Sequence, residues 1–183
     1  MSIKGLEQAM RNLESISKTA VPRASAQAVN RIASRAVSRS TKAVAGEKKL
    51  PQKLIRQRAR VKKATVRRPV VTIRVNRGNL PAIKLGPASV RLSRRKKDSR
   101  GTNSVLRIGK YSFPGAFIQQ LSNGRWHVLR RTTKSRYPIE VVSIPLAAPL
   151  TEAFNREVGG LRESDLPKEL SAALNRQLRL ILK

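Results

Sequence analysis

The first apolar residues of the chain, Ile3, Leu6, Met10, Leu13 and Ile16, recur every three or four positions. A helix turns once in about 3.6 residues, so this spacing gathers them on one stripe of an amphipathic helix. Pro22 marks the start of a second predicted helix, whose stripe of Ala24, Ala28, Ile32 and Ala36 is flanked by Val29, Ala33 and Val37. Side chains this small let a neighbouring helix approach closely. Arg31, Arg35 and Arg39 step by four residues along another face. Leu50 and Pro51 introduce a short basic helix through about Arg60, because proline is tolerated in a first turn, where its missing N–H has no partner to lose.

From Val61 onward the period shortens to two. Val71, Ile73 and Val75 alternate with Thr72 and Arg74, as a half-buried strand requires, and Asn76, Arg77, Gly78 and Asn79 supply turn chemistry behind them. Further strands are predicted at 82–85, 89–93, 104–108, 115–121, 125–131 and 139–144, with Asn123 and Gly124 forming a tight hairpin turn between two of them. After Pro145 the helical period returns, first around 150–158 and then with Leu170, Leu174, Leu178 and Ile181. The order predicts an α+β fold in which N-terminal helices pack on a small antiparallel β-sheet, with C-terminal helices behind. A single domain over residues 1–183 is expected. Its parts are helical to about 60, sheet from about 61 to 145 including a basic hairpin at 91–104, and helical from about 146. The leucine stripe of the last helix is read as facing the core, with an intersubunit seam as the alternative.

Charge changes the picture more than hydrophobicity does. The chain has 40 Lys and Arg against 10 Asp and Glu, a formal net charge of +30. The 50 residues from Lys48 to Lys97 hold 18 cations and no carboxylate, whereas residues 138–183 balance six against six. A surface so basic repels itself unless something anionic lies against it, and a nucleic-acid backbone or an acidic protein surface are the usual partners. Two groups are candidate contacts. One is the apolar-free stretch Arg94, Arg95, Lys96, Lys97 and Arg100, with Arg91 on the strand before it. The other is Lys53, Arg56, Arg58, Arg60, Lys62 and Lys63. Phosphate neutralisation by either would be indifferent to base sequence and strongly salt-dependent. A solvated basic face is the plain alternative for both.

Enzymatic and metal chemistry find little support. His127 is the one histidine, it lies in the apolar run Trp126–Leu129, and there is no cysteine to serve as nucleophile or thiolate ligand. Absence of cysteine also rules out a disulfide framework and fits assembly in a reducing cytoplasm. Glu163, Asp165 and Glu169 cluster beside Leu166 and Pro167, which reads as the capped start of the last helix. Glycines are scattered and form no phosphate cradle, and the few aromatic residues read as core or interface. No cofactor is expected. The opening residues lack a signal-peptide core, and no run of about 18 apolar residues marks a membrane span.

Four segments carry a resemblance: IKGLEQAMRNLESISKTAVPRA at the start, RVNRGNLPAIKLG and PGAFIQQLSNGRWHVLRR in the middle, and LPKELSAALNRQLRLILK at the end. Together they resemble minor tail protein Z of lambda-like tailed bacteriophages, in order and over nearly the whole chain. The resemblance implies a non-enzymatic virion component that completes the head-proximal end of the tail and helps position the genome end for head–tail joining and DNA ejection. It points to a tail-completion or neck-protein-like fold, to virion tail location after assembly in the host cytoplasm, and to tail terminator, tail tube or tape-measure proteins as neighbours. The symmetry of a tail tube further predicts a homo-oligomer, a hexameric ring closed by head-to-tail contacts, with viral double-stranded DNA in its lumen. A free basic nucleic-acid-binding module of ribosomal or histone-like type is the alternative.

Overall fold

The computed structural model describes residues 3–92, 104–133 and 135–181. Its elements follow an α+β order, helices first and last with short antiparallel strands between. They group into two compact units. One comprises residues up to 48, 52–76 and from 149 onward; the other comprises 49–51 and 77–148.

In the first unit the two expected N-terminal helices form one uninterrupted helical stretch, α1 (Ile3–Ser15) leading through a single wider turn (Ile16–Ala20) into α2 (Val21–Glu47). The wider turn has a local cause. Pro22 has no N–H to donate, and its ring would press on the carbonyl four residues earlier. In the turn before it, Val21 N–H donates to the Ile16 carbonyl five residues back, so the extra residue absorbs the conflict without ending the helix. The predicted basic helix is shorter than expected. Helix α3 covers only Gln52–Arg56, and the backbone then extends as β1 (Ala59–Lys62), which pairs antiparallel with β2 (Thr72–Val75).

The C-terminal helices α4 (Ala147–Ser164) and α5 (Leu166–Ile181) complete this unit. Ala24 and Ala28 of α2 meet Ala173 of α5 with Leu166 and Leu174 beside them, and one turn further along Ile32 and Ala36 meet Leu161, Leu166 and Ile73. The alanines are essentially without solvent exposure, as close approach of two helices requires. A polar clasp fixes the segment after β1: Asn30 Nδ2 donates to the Ala64 carbonyl at 3.0 Å, and Ala64 N–H donates to Asn30 Oδ1 at 2.8 Å. One amide side chain thus satisfies both backbone groups of a buried residue that no strand partner reaches.

The second unit holds three small sheets where one was expected. They are β4 (Ala88–Leu92) with β5 (Ser104–Ile108) and β6 (Tyr111–Pro114); β7 (Ala116–Gln120) with β8 (Trp126–Arg131) and β9 (Ile139–Val141); and a two-residue pairing of β3 (Leu80–Pro81) with β10 (Ser143–Ile144). The predicted strand at 82–85 is instead a 3₁₀ turn. Ala82 and Leu85, three apart, are its buried residues, which fits a three-residue period and not strand alternation. The Asn123–Gly124 turn forms as expected: Leu121 N–H donates to the Arg125 carbonyl, Gly124 takes φ +73, and Asn123 Oδ1 accepts from Arg125 N–H. Leu106, Ile108 and Val128 form the fully buried centre of the strands. No helix of the described residues is long and apolar enough to cross a membrane.

Candidate polyanion-binding surface

Pairing of β1 with β2 sorts their side chains by charge. Arg60 lies directly across from Arg74 and Lys62 across from Thr72, all four exposed, while Val61 pairs with Ile73 and Ala59 with Val75 on the other face. Ile73 anchors that apolar face against Ile32, Ala36 and Leu161. The ribbon is thereby held flat on the helices with its cations outward. Its tip adds Lys63, Arg67 and Arg68, all exposed, around a turn in which Thr65 and Arg68 exchange backbone hydrogen bonds of 3.0 and 3.1 Å. Residues 59–75 therefore carry six cations and no carboxylate.

Like charges directly opposite on a sheet destabilise it. Nothing local offsets this pair, since among the described residues none of Lys53, Arg56, Arg60, Lys62, Lys63, Arg67, Arg68 or Arg74 makes an ion pair. Guanidinium groups presented side by side can each grip a phosphate or carboxylate through two N–H donors, and they hold no acid–base or redox chemistry.

Two other sequence candidates lie close by in the chain, on α3. Lys53 and Arg56 are exposed and line a shallow depression with Gln52 and Gln57. Arg58 behaves differently. It is half-buried, its Nη1 donates to the Asn76 carbonyl at 3.3 Å, and loss of solvent pushes its pKa down from the usual arginine value. It ties the two ends of the ribbon together. The backbone of Arg91 pairs with Val105 in β4 and β5, while Arg94, Arg95, Lys96, Lys97 and Arg100 lie outside the described residues.

Three ribbon cations, Arg67, Arg68 and Arg74, were not among the sequence candidates. The signal for Arg74 was its place with Thr72 on the polar face of the alternating strand, which only the register with Arg60 turns into a paired feature.

A second set of arginines is neutralised. Arg31 reaches Glu169 at 3.2 Å, Arg35 reaches both Glu169 (2.6 Å) and Asp165 (3.2 Å), and Arg39 approaches Asp165 at 3.8 Å. The Ser164 hydroxyl donates to Asp165, and this bond, with Arg39 and Arg35 beyond it, holds the Asp165 carboxyl below its usual pKa. Hydrogen bonds from Arg31 and then Arg35 do the same for Glu169. Of the carboxylates read as a helix cap, Asp165 and Glu169 thus dock α5 on α2.

His127 sits half-buried on β8, and among the described residues nothing hydrogen-bonds its Nδ1. No group of three or more metal-ligating side chains occurs among the described residues.

Comparison with known proteins agrees over the full length. Residues 3–183 match the family described as prophage minor tail protein Z. The chain is 73% identical to the tail completion protein of Escherichia phage N15, covering 100% of this chain and 99% of that one. It is 55% identical to tail completion protein Z of Escherichia phage lambda, with both chains covered at 100%. No solved structure matches it.

Proposed function

The chain belongs to the prophage minor tail protein Z family, and from that premise we propose that it is a structural, non-enzymatic component of a phage virion that completes the head-proximal end of the tail. In this reading several copies form a closed ring, hexameric if it follows the tail axis, beside the tail terminator, tail tube or tape-measure proteins. The basic ribbon faces the lumen and holds the end of the double-stranded genome for head–tail joining and ejection.

The supporting observation is the Arg60–Arg74 cross-strand pair, exposed and without a carboxylate partner among the described residues. A ribbon that served only the fold would gain by pairing opposite charges there. Contact with a phosphate backbone turns that repulsion into a source of affinity through counterion release.

The test is complementation of a phage lacking its own copy with a variant in which Arg60, Lys62 and Arg74 are all serine. The expected virions have tails of normal length and lose or fail to deliver their DNA. Full infectivity would refute a role for the ribbon in genome contact. Shortened or absent tails would assign it to an acidic protein neighbour during assembly.

A further inference from the structure

Helix α5 packs along α2 and reaches as far as the Ile16–Ala20 turn. The pairing is antiparallel: Asp165 and Glu169 at the start of α5 meet Arg35 and Arg31, and Ala173 further on meets Ala28 and Ala24. Helix α1 therefore continues past the C-terminal end of α5. Among the described residues its stripe runs on without cover. Leu6, Met10 and Leu13 are 67%, 63% and 66% exposed, although they stand on one line at helical spacing. Three such side chains left in water forfeit their hydrophobic burial, so α1, although it continues directly into α2, gains nothing from its stripe within the chain.

The occupant is indicated by charge. Two copies of a +30 chain repel each other unless the contact brings a cationic patch against one that offers carboxylates. Helix α1 offers carboxylates, since Glu7 and Glu14 balance Lys4 and Arg11; the end of α5 is cationic, with Arg176, Arg179 and Lys183 and no carboxylate after Glu169. Both expose leucine. Leu180 near the end of α5 is 67% exposed and follows the exposed Arg176 and Arg179, whereas Glu7 and Glu14 each directly follow a leucine of the α1 stripe. The two patches are apolar at the centre, and Glu7 and Glu14 flank the α1 stripe where Arg176 and Arg179 flank Leu180, with Glu14 also paired to Lys18 of its own chain. A two-fold pairing of α1 with itself would instead bring Glu7 and Glu14 of one copy toward the same residues of the other.

We propose that α1 is the assembly arm of the ring: its Leu6–Met10–Leu13 stripe packs on the C-terminal end of α5 of a second copy, around Leu180, in a head-to-tail contact. Such a contact is heterologous, so repetition closes a ring where a two-fold one would stop at a dimer. This inference rests on the oligomeric part of the reading above and names its interface.

The chain has no cysteine, which makes the test direct. Met10→Cys and Leu180→Cys are prepared as separate full-length proteins and oxidised alone and mixed. The expected result is a disulfide-linked dimer in the mixture and none in either protein alone. A dimer from Met10→Cys alone would overturn the proposal in favour of two-fold pairing. No cross-link in the mixture, with native mass spectrometry still finding a cyclic oligomer, would overturn the interface and leave the ring standing. Absence of any oligomer would remove both.

In parallel, Leu6→Asp with Leu13→Asp should weaken self-association by about 100-fold or more. The melting temperature of the monomer should not change, because both side chains are exposed within the chain. An unchanged association constant would also overturn the proposal.

Discussion

Reversing one charge in the ribbon separates the stability of the protein from its affinity for polyanions. Arg60 and Arg74 are direct cross-strand partners, so their Cβ atoms stand about 5 Å apart and their guanidinium groups splay to about 8 Å. In water two like charges at that distance repel by about 0.5 kcal/mol. Screening leaves about 0.4 kcal/mol at 0.01 M salt and about 0.2 kcal/mol at 0.1 M. Arg74→Glu converts repulsion to attraction and so changes stability by about twice these amounts, with Lys62 on the same face adding in the same direction.

For a chain of this size each kcal/mol moves the melting temperature by about 2–4 °C. The variant should therefore melt about 2–3 °C higher than the wild type at 0.01 M salt and about 1 °C higher at 0.1 M. Binding to duplex DNA, read by fluorescence anisotropy over a salt series, should move the other way. Affinity falls, and the slope of log K against log salt shrinks by about 0.9, because one phosphate fewer is neutralised. A variant that melts lower, or one that binds with wild-type affinity and slope, would refute the assignment of this pair to a polyanion.

Two further outcomes follow from polar interactions in the helical unit. Asn30→Ala leaves both backbone groups of the buried Ala64 without their partner and should cost about 2 kcal/mol, a fall of about 4–8 °C in thermal unfolding; a change below 1 °C would mean the clasp contributes nothing. Asp165 and Glu169 have pKa values lowered by folding, so the stability they supply is present at neutral pH and is lost as pH falls through their folded values. The double variant Asp165→Asn with Glu169→Gln should be less stable than wild type near pH 7, and the two melting curves should converge as pH drops from about 5 toward 3. A gap that stays constant over that range would show that the carboxylates act by shape alone.

Periodicity carried the helices well because their stripes answer to a core in the same chain. Ala24, Ala28, Ile32 and Ala36 are buried as a three-to-four spacing requires. It failed where backbone chemistry overrode side-chain pattern. Pro22 looked like a boundary, yet a turn one residue wider let the helix continue through it. Leu80 to Leu85 is apolar enough for a strand, but Pro81 opens and Gly86, at φ +138, closes a 3₁₀ turn there. Strand β6 was missed because Tyr111, Ser112, Phe113 and Pro114 end in a residue that seldom belongs to a strand. Its place beside β5 comes from the two-residue turn at Gly109 and Lys110, with Gly109 at φ +57.

Arg31, Arg35 and Arg39 on α2 and Arg60, Lys62 and Arg74 on the ribbon show why the site was only half legible. The first is a regular row in the sequence and the second is assembled by strand register, and the cations themselves do not say what will answer them. On the helix, two carboxylates arriving from more than 120 residues away in sequence take up the charge; on the ribbon, the strand pairing brings only another arginine. A row of cations is thus a structural ladder or a face left unanswered within the chain, according to what the fold sets opposite it. In this chain the ten carboxylates are too few to answer forty cations. Among the described residues, the ribbon of residues 59–75 is where strand pairing sets two of them side by side with no carboxylate within its own sequence.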